Sequence, residues 1–347
     1  MSSATPWSSG GRMRTEGAVA EIGLDELDQR LLHALQIEPR AAWTSLAPVL
    51  GADPSTLARR WRRLHSEGIA WATGFVSRGQ HALVEIVCAP DMTDAVIDRL
   101  LVDRRVVTLD YTSGGRDLLA FVSTDDLPGL ADYGRATLRR LPGVRSTHTH
   151  LITEVFAEGS NWRMRALGAA DAARVPAAAK PRARAPRQVA PALLEAVEKE
   201  VWTDGRVPVK TIAERHGFSP QRVADAIAVL RDNGGLGFRI DVARSFTGWP
   251  ISAWYFIEAP ARTIDLARSA LSRVPEIRLA FTSSSRFNLI LFVWLHDLAD
   301  VNRFEIALEN ALTGIRIADR SVVLQLVKHF GRAVGGDTRV IGTIEPE

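Results

Sequence analysis

Residues 53–68, DPSTLARRWRRLHSEG, place four arginines and the hydroxyls of Ser55 and Thr56 at spacings that could hold a polyanion. At about 100° per residue, Ser55, Arg59 and Arg62 fall on one helical face with Thr56 and Arg63 beside it, opposite Leu57, Trp61 and Leu64 at i, i+4 and i+7. A guanidinium fork meets a guanine edge or a phosphate through paired hydrogen bonds, so the chemistry implied is DNA reading. Ser55, Thr56, Arg59 and Arg62 are expected toward the major groove, and Arg60 and Arg63 toward phosphates. An ordinary solvated cationic face fits the isolated helix as well. Two further groups stand out. Gly114, Gly115, Arg116 and Asp117 read, on residue types alone, as a glycine hairpin turn. His148 and His150, at i and i+2 on a strand, could share a ligand or a proton, although a surface or interface pair is the better reading. No zinc-protease, nucleophile-elbow or phosphate-loop motif appears, so no catalytic residue, metal or cofactor is expected.

The elements around the arginines support the DNA reading. Asp53 can cap the helix, Pro54 suits its first turn and Gly68 its end. Upstream, Thr44 is expected to cap a short helix with Leu46, Val49 and Leu50 inward, and residues 51–53 make a three-residue turn. Leu24, Leu27, Leu31, Leu32 and Leu35 line a first helix with Asp25 near its start, and Ile69, Trp71 and Thr73 alternate as a short strand after the third. The period then changes. Strands over 82–88, 106–112, 118–122 and 144–156, with helices over 91–103 and 127–141, give βαββαβ, the ferredoxin-like order. One face of such a sheet is left without helices, which predicts a partner for it.

The order LDxLDxxLLxxL, SLAxxLG, PSTLxRRxRRLxxEGI over residues 24–76 resembles the N-terminal domain of the Lrp/AsnC family of bacterial transcription regulators, and the ferredoxin-like module resembles that family's effector-binding, dimer-forming RAM domain. The resemblance implies double-stranded DNA as a partner, self-association through RAM domains, and a small-molecule effector such as an amino acid. It makes Gly114, Gly115, Arg116 and Asp117 candidates for the effector loop: glycines leave backbone N–H groups open to a carboxylate, and the aspartate can meet an ammonium group. Sirohaem decarboxylases use the same two-domain architecture, so an enzyme on this fold is the alternative.

The pattern then repeats. Residues 217–220 match 51–54 at an offset of 166 (217 minus 51), and Val223, Ile227 and Leu230 fall on Leu57, Trp61 and Leu64. Residues 281–283 match 111–113 at an offset of 170 (281 minus 111). The fold class is therefore α+β, a winged helix-turn-helix plus RAM pair duplicated in tandem. The division expected is a disordered tail over 1–20, winged helix-turn-helix over 21–76, RAM over 77–160, a basic Ala/Pro linker over 161–190, a second helix-turn-helix over 191–245, a second RAM-like module over 246–332 and a tail over 333–347. The copies differ in charge. Arg59, Arg60, Arg62 and Arg63 become Asp225, Ala226, Ala228 and Val229, so the first head should bind DNA and the second be mainly structural, the competing reading being that both bind with different sequence preferences. In the second RAM-like module residues 283–288 replace the glycine loop, and Asn288 stands for Asp117. Trp249, Trp254 and Trp294 could fill a seam between the two modules.

The chain of 347 residues, 46% hydrophobic, is long enough for four domains. A net charge of only +3 means that nucleic-acid affinity must come from local clustering. The single cysteine, Cys88, permits no internal disulfide, and the longest apolar run, residues 289–295, is too short for a bilayer. The cytoplasm and no membrane partner are expected.

Overall fold

A computed structural model describes residues 23–76, 79–158 and 162–344. The first head comprises α1 (Glu26–Ile37), α2 (Trp43–Leu50), α3 (Pro54–Ser66) and the wing strand β1 (Ala70–Val76). Asp25 caps α1 by accepting the Asp28 N–H, and Asp53 caps α3 by accepting the Ser55 N–H at 2.8 Å. Leu57, Trp61 and Leu64 are buried with Leu31, Leu35 and Leu46, as their spacing requires. Thr44 is not the cap expected of it. The α2 helix begins two residues earlier than a Thr44 cap would place it, behind Ala42, and the Arg206 guanidinium lies 4.0 Å over the ring of its first residue, Trp43.

A ferredoxin-like module follows: β2 (Gln80–Cys88), α4 (Thr93–Val102), β3 (Val106–Thr112), β4 (Leu118–Thr124), α5 (Leu127–Asp132) with its helical continuation through Arg140, and β5 (Val144–Ala157). After a short α6 (Ala169–Arg174), the second head repeats the first with α7 (Pro191–Thr203), α8 (Val209–His216), α9 (Pro220–Asp232) and β6 (Leu236–Val242). The second module is β7 (Ile251–Glu258), α10 (Ala261–Leu271), β8 (Ile277–Ser283), β9 (Leu289–Leu295), α11 (Asp300–Ala311) and β10 (Arg316–His329), followed by β11 (Arg332–Val334) and β12 (Val340–Thr343).

The two halves meet about a pseudo-two-fold axis. Wings β1 and β6 form an antiparallel ribbon in which Ala70 faces Val242 and Val76 faces Leu236. At the offset of 166 these pairings are images of each other, since 70 plus 166 is 236 and 76 plus 166 is 242. The heads clasp reciprocally as well. Arg40 donates to the carbonyls of Gly205 and Val207 at 2.5 and 2.8 Å, while Arg206 donates to those of Pro39 and Ala41. Residues 39–41 and 205–207 correspond, so one contact is made twice, the signature of an isologous interface.

The RAM-like modules pair as the bare sheet face predicts. The long strand β5 pairs with β2 of its own module and β8 of the other, and β10 pairs with β7 and with β3, closing eight strands into a ring. Helices α4, α5, α10 and α11 cover the outer faces, and Leu83, Leu119, Trp254, Phe256, Phe281 and Ile290 fill the space between the sheets. Trp254 thus lies in the seam expected of it.

Two expectations are overturned. The basic segment over 161–190 is a strap rather than a loose linker: Leu167 and Val175 enter the core of the first head, and the Leu167 N–H donates to His33 Nδ1 at 2.8 Å. Its few apolar residues fold because another domain supplies the rest of the core. The stretch over 333–347 is not simply a tail, because β11 and β12 extend the sheet and the Val340 N–H donates to the Gly68 carbonyl at 2.9 Å, tying it to the end of α3. Residues 1–20, expected to be a tail, and 345–347 lie outside the described residues.

Candidate nucleic-acid interface and effector cleft

The α3 helix presents Ser55, Arg59 and Arg62 to solvent and leaves Thr56 half-buried beside them. Arg60 and Arg63 were expected at phosphates, but the structure gives them another use. Arg60 donates to Asp25 at 2.5 Å and to Asp28 at 2.9 Å, and Arg63 pairs with the buried Asp28 and with Glu67. These contacts pin α3 to the N-terminal turn of α1. Asp28 and Glu67 gave the only sequence signal for this, and a helix-to-helix pair separated by 32 residues leaves no periodic trace. Two arginines, not four, therefore stand clear on the outer face.

On α9 the equivalent positions are closed. Asp225, Ala226, Ala228 and Val229 are all buried, each at most 8% exposed. The strap's Arg182 grips Asp225 through two bonds of 2.8 and 2.5 Å, and Arg231 at the far end of α9 pairs with the buried Glu38 of the first head at 2.7 Å. Asp225 is held below the usual carboxylate range, first by its bond to Arg182.

The loop at Gly114, Gly115, Arg116 and Asp117 lies on the seam between modules. Gly114 and Gly115 are exposed, and Gly114 has φ of 101°, a conformation that favours glycine. Arg116 is buried and crosses the seam. It donates to Glu85 at 2.9 Å and to Ser321 Oγ at 2.8 Å, pairs with Asp319, and stacks 4.3 Å over Phe256. The Asp117 carboxylate accepts the Cys88 N–H at 2.7 Å. Asn288 does the same for Ala259 at 2.9 Å, and both pairs correspond at an offset of 171 (288 minus 117). The shared role is to tie a loop to a strand end.

His150 is buried, with Nε2 at 2.6 Å from Glu85 and Nδ1 at 2.9 Å from Ser285 Oγ across the seam, whereas His148 is exposed. The two histidines differ in burial, although both line the same cleft. Burial raises the Glu85 carboxyl, but His150 and Arg116 outweigh it and hold the group below its ordinary value. A cleft of about 880 Å³ opens here, with Arg116, His148, His150, Ser285 and Asp319 in its wall. Among the described residues no cluster of His, Cys, Asp or Glu could hold a metal ion, and no helix is long and apolar enough to cross a membrane.

Comparison with known proteins matches residues 24–65 to the AsnC-type helix-turn-helix domain and residues 81–162 to the Lrp/AsnC ligand binding domain. Within its first half, the chain is similar to the Lrp/AsnC family in both of that family's domains. An uncharacterized HTH-type transcriptional regulator of Pyrococcus furiosus is 28% identical over 138 residues, 38% of this chain and 93% of that protein. The leucine-responsive regulatory protein of Escherichia coli is 26% identical over 140 residues, covering 38% of this chain and 85% of the relative. These Lrp/AsnC relatives are single units, and the present chain carries two. The crystal structure of the siroheme decarboxylase NirDL has a similar fold across both units, with a TM-score of 0.57, 14% identity, and coverage of 88% of this chain and 93% of that one.

Proposed function

We propose that the chain is a sequence-specific, DNA-binding transcriptional regulator that reads through its first head only. One observation carries the reading: Arg59 and Arg62 are exposed on α3, while their counterparts on α9, Asp225 and Ala228, are buried. Arg59 and Arg62 make bidentate contacts to base edges in the major groove, with Ser55 and Thr56 alongside. Since one chain offers one reading helix, a two-fold operator takes two chains associated through their RAM regions, with half-sites separated by whole turns of about 34 Å. A small metabolite such as an amino acid binds the seam cleft beside Gly114, Gly115 and Arg116 and alters that association. Asp117 serves the loop itself. Such a regulator works in the cytoplasm, where it meets the chromosome.

The test is binding of the full chain to DNA fragments it selects from its own genome. Arg59→Ala with Arg62→Ala should abolish discrimination between selected and random duplex at fixed salt, and the reading fails if the double variant keeps it. The enzymatic alternative rests on likeness of fold, which hosts more than one function.

A further inference from the structure

A cavity of about 1770 Å³ lies between the wing ribbon and the open end of the eight-stranded ring, apart from the seam cleft. Trp71, Phe75 and Arg239 come to it from the ribbon, and Asp110, Trp254 and Arg278 from the ring. Small-molecule pockets commonly enclose about 300–1,000 Å³, so this one is too large for a single amino acid to span.

Its buried polar atoms include several donors without acceptors, beside two acceptors without donors, Asp110 Oδ1 and Asp241 Oδ2. Arg278 is 3% exposed, yet Nε, Nη1 and Nη2 have no hydrogen-bond partner among the described residues. The Trp162 and Trp294 rings lie 3.9 and 3.8 Å from its guanidinium carbon and 5.4 Å from each other, so they meet it from adjacent directions, not from opposite faces, and supply no hydrogen-bond acceptor to its N–H groups. Arg244 is also buried; it donates to Ser252 but leaves Nε unmet, and the indole N–H groups of Trp71 and Trp294 are unmet too. Acids line the cavity too, Asp125, Asp126 and Asp132 at the α5 side and Glu195 and Glu198 on α7, away from the ring residues that surround Arg278. Asp241 is engaged by Arg239 and His329, and Asp110 accepts from Trp254 Nε1 at 2.9 Å. Burial brings Arg278 down to about 8, Arg165 and Arg239 add like charge, and Glu276 supplies partial relief. A buried guanidinium is ordinarily paired, because an unpaired one costs several kcal/mol.

We propose that this cavity binds a bulky, flat aromatic carboxylate, with its carboxylate on the N–H edge of Arg278 and its ring system against Phe75, Phe121, Trp254 and Phe292. A guanidinium edge accepts a carboxylate through two parallel bonds, and aromatic walls suit a planar body. Because β1 follows directly from α3, the bound molecule touches both the reading head and the ring.

The test uses the full chain with pyrene-1-carboxylate and its neutral isostere pyren-1-ylmethanol, read by quenching of tryptophan emission and by the rise in unfolding temperature. The carboxylate should bind at least about tenfold tighter than the alcohol, roughly what one charge-assisted hydrogen bond supplies. Arg278→Gln should remove that preference and Arg278→Lys restore part of it, while Arg286→Gln in the seam cleft should leave it unchanged. Equal binding of acid and alcohol to the wild-type chain overturns the proposal, as does a preference that survives Arg278→Gln or is lost in Arg286→Gln. If Arg278→Gln does not fold, Arg244→Gln carries the test: the preference should fall at least about threefold, and an unchanged ratio overturns the proposal.

Discussion

The α3 and α9 helices are both 13 residues long, start with proline behind a side-chain cap and bury the same apolar stripe, yet they end as opposites. One points Arg59 and Arg62 at solvent; the other hides Asp225, Ala228 and Val229 and is held by Arg182 and Arg231. Duplication kept what the fold needs and changed what a ligand would see. The backbone of a reading head is therefore poor guidance to whether it reads, and the outward face decides.

The sharpest way to break the comparison is at the outward faces themselves. Arg59→Ala with Arg62→Ala should cost about 2–6 kcal/mol at a cognate site, at about 1–3 kcal/mol per base-reading arginine, as measured by fluorescence anisotropy at fixed salt. Gln221→Ala with Arg222→Ala on α9 should leave the same titration within about twofold. A loss of similar size from both pairs would mean that both heads read.

The pseudo-symmetry gives the next test. Arg40→Ala and Arg206→Ala each remove two bonds to backbone carbonyls and should each destabilise the chain by about 2–4 kcal/mol in urea titrations. Similar losses support a reciprocal clasp. A smaller effect belongs to Asp110, which burial pushes up to about 6 despite the Trp254 and Arg244 groups that oppose the shift. A carboxyl raised above its unfolded value of 3.8 contributes most below about pH 4, and that contribution is lost as pH rises through 6. Asp110→Asn should thus raise stability by about 2 kcal/mol at pH 7.5 and flatten the slope between pH 4 and 6, measured by thermal unfolding across pH. The smallest expected change is for Arg182→Ala. It should leave the unfolding midpoint nearly unmoved and confer no DNA binding on α9, because the apolar residues beside Asp225 stay buried; new duplex affinity in that variant would mark the strap as a cover over a working head.

Much of this was legible in the sequence because it is local or periodic. The stripe at Leu57, Trp61 and Leu64, the βαββαβ order, the duplication and the charge contrast between heads all follow from spacing along one chain. The pairing of Arg60 and Arg63 with Asp28 was not legible, because that acid lies on another helix and spacing along α3 does not reveal it. Asp117 shows the same limit, since its partner Cys88 is 29 residues away. The cavity was invisible for a stronger reason. Its walls come from β1, β3, β6, β7, β8 and β9, and no window of sequence contains them.

The ribbon of β1 and β6 turns what would be an encounter between two molecules into a step in the folding of one. Dilution cannot part the halves, because each holds the other at a fixed effective concentration. A self-associating protein suffers every mutation twice, once on each side of its axis, whereas here a change in one half leaves the other as it was. That freedom allows one end of the molecule to keep a surface for nucleic acid while the other closes over its own.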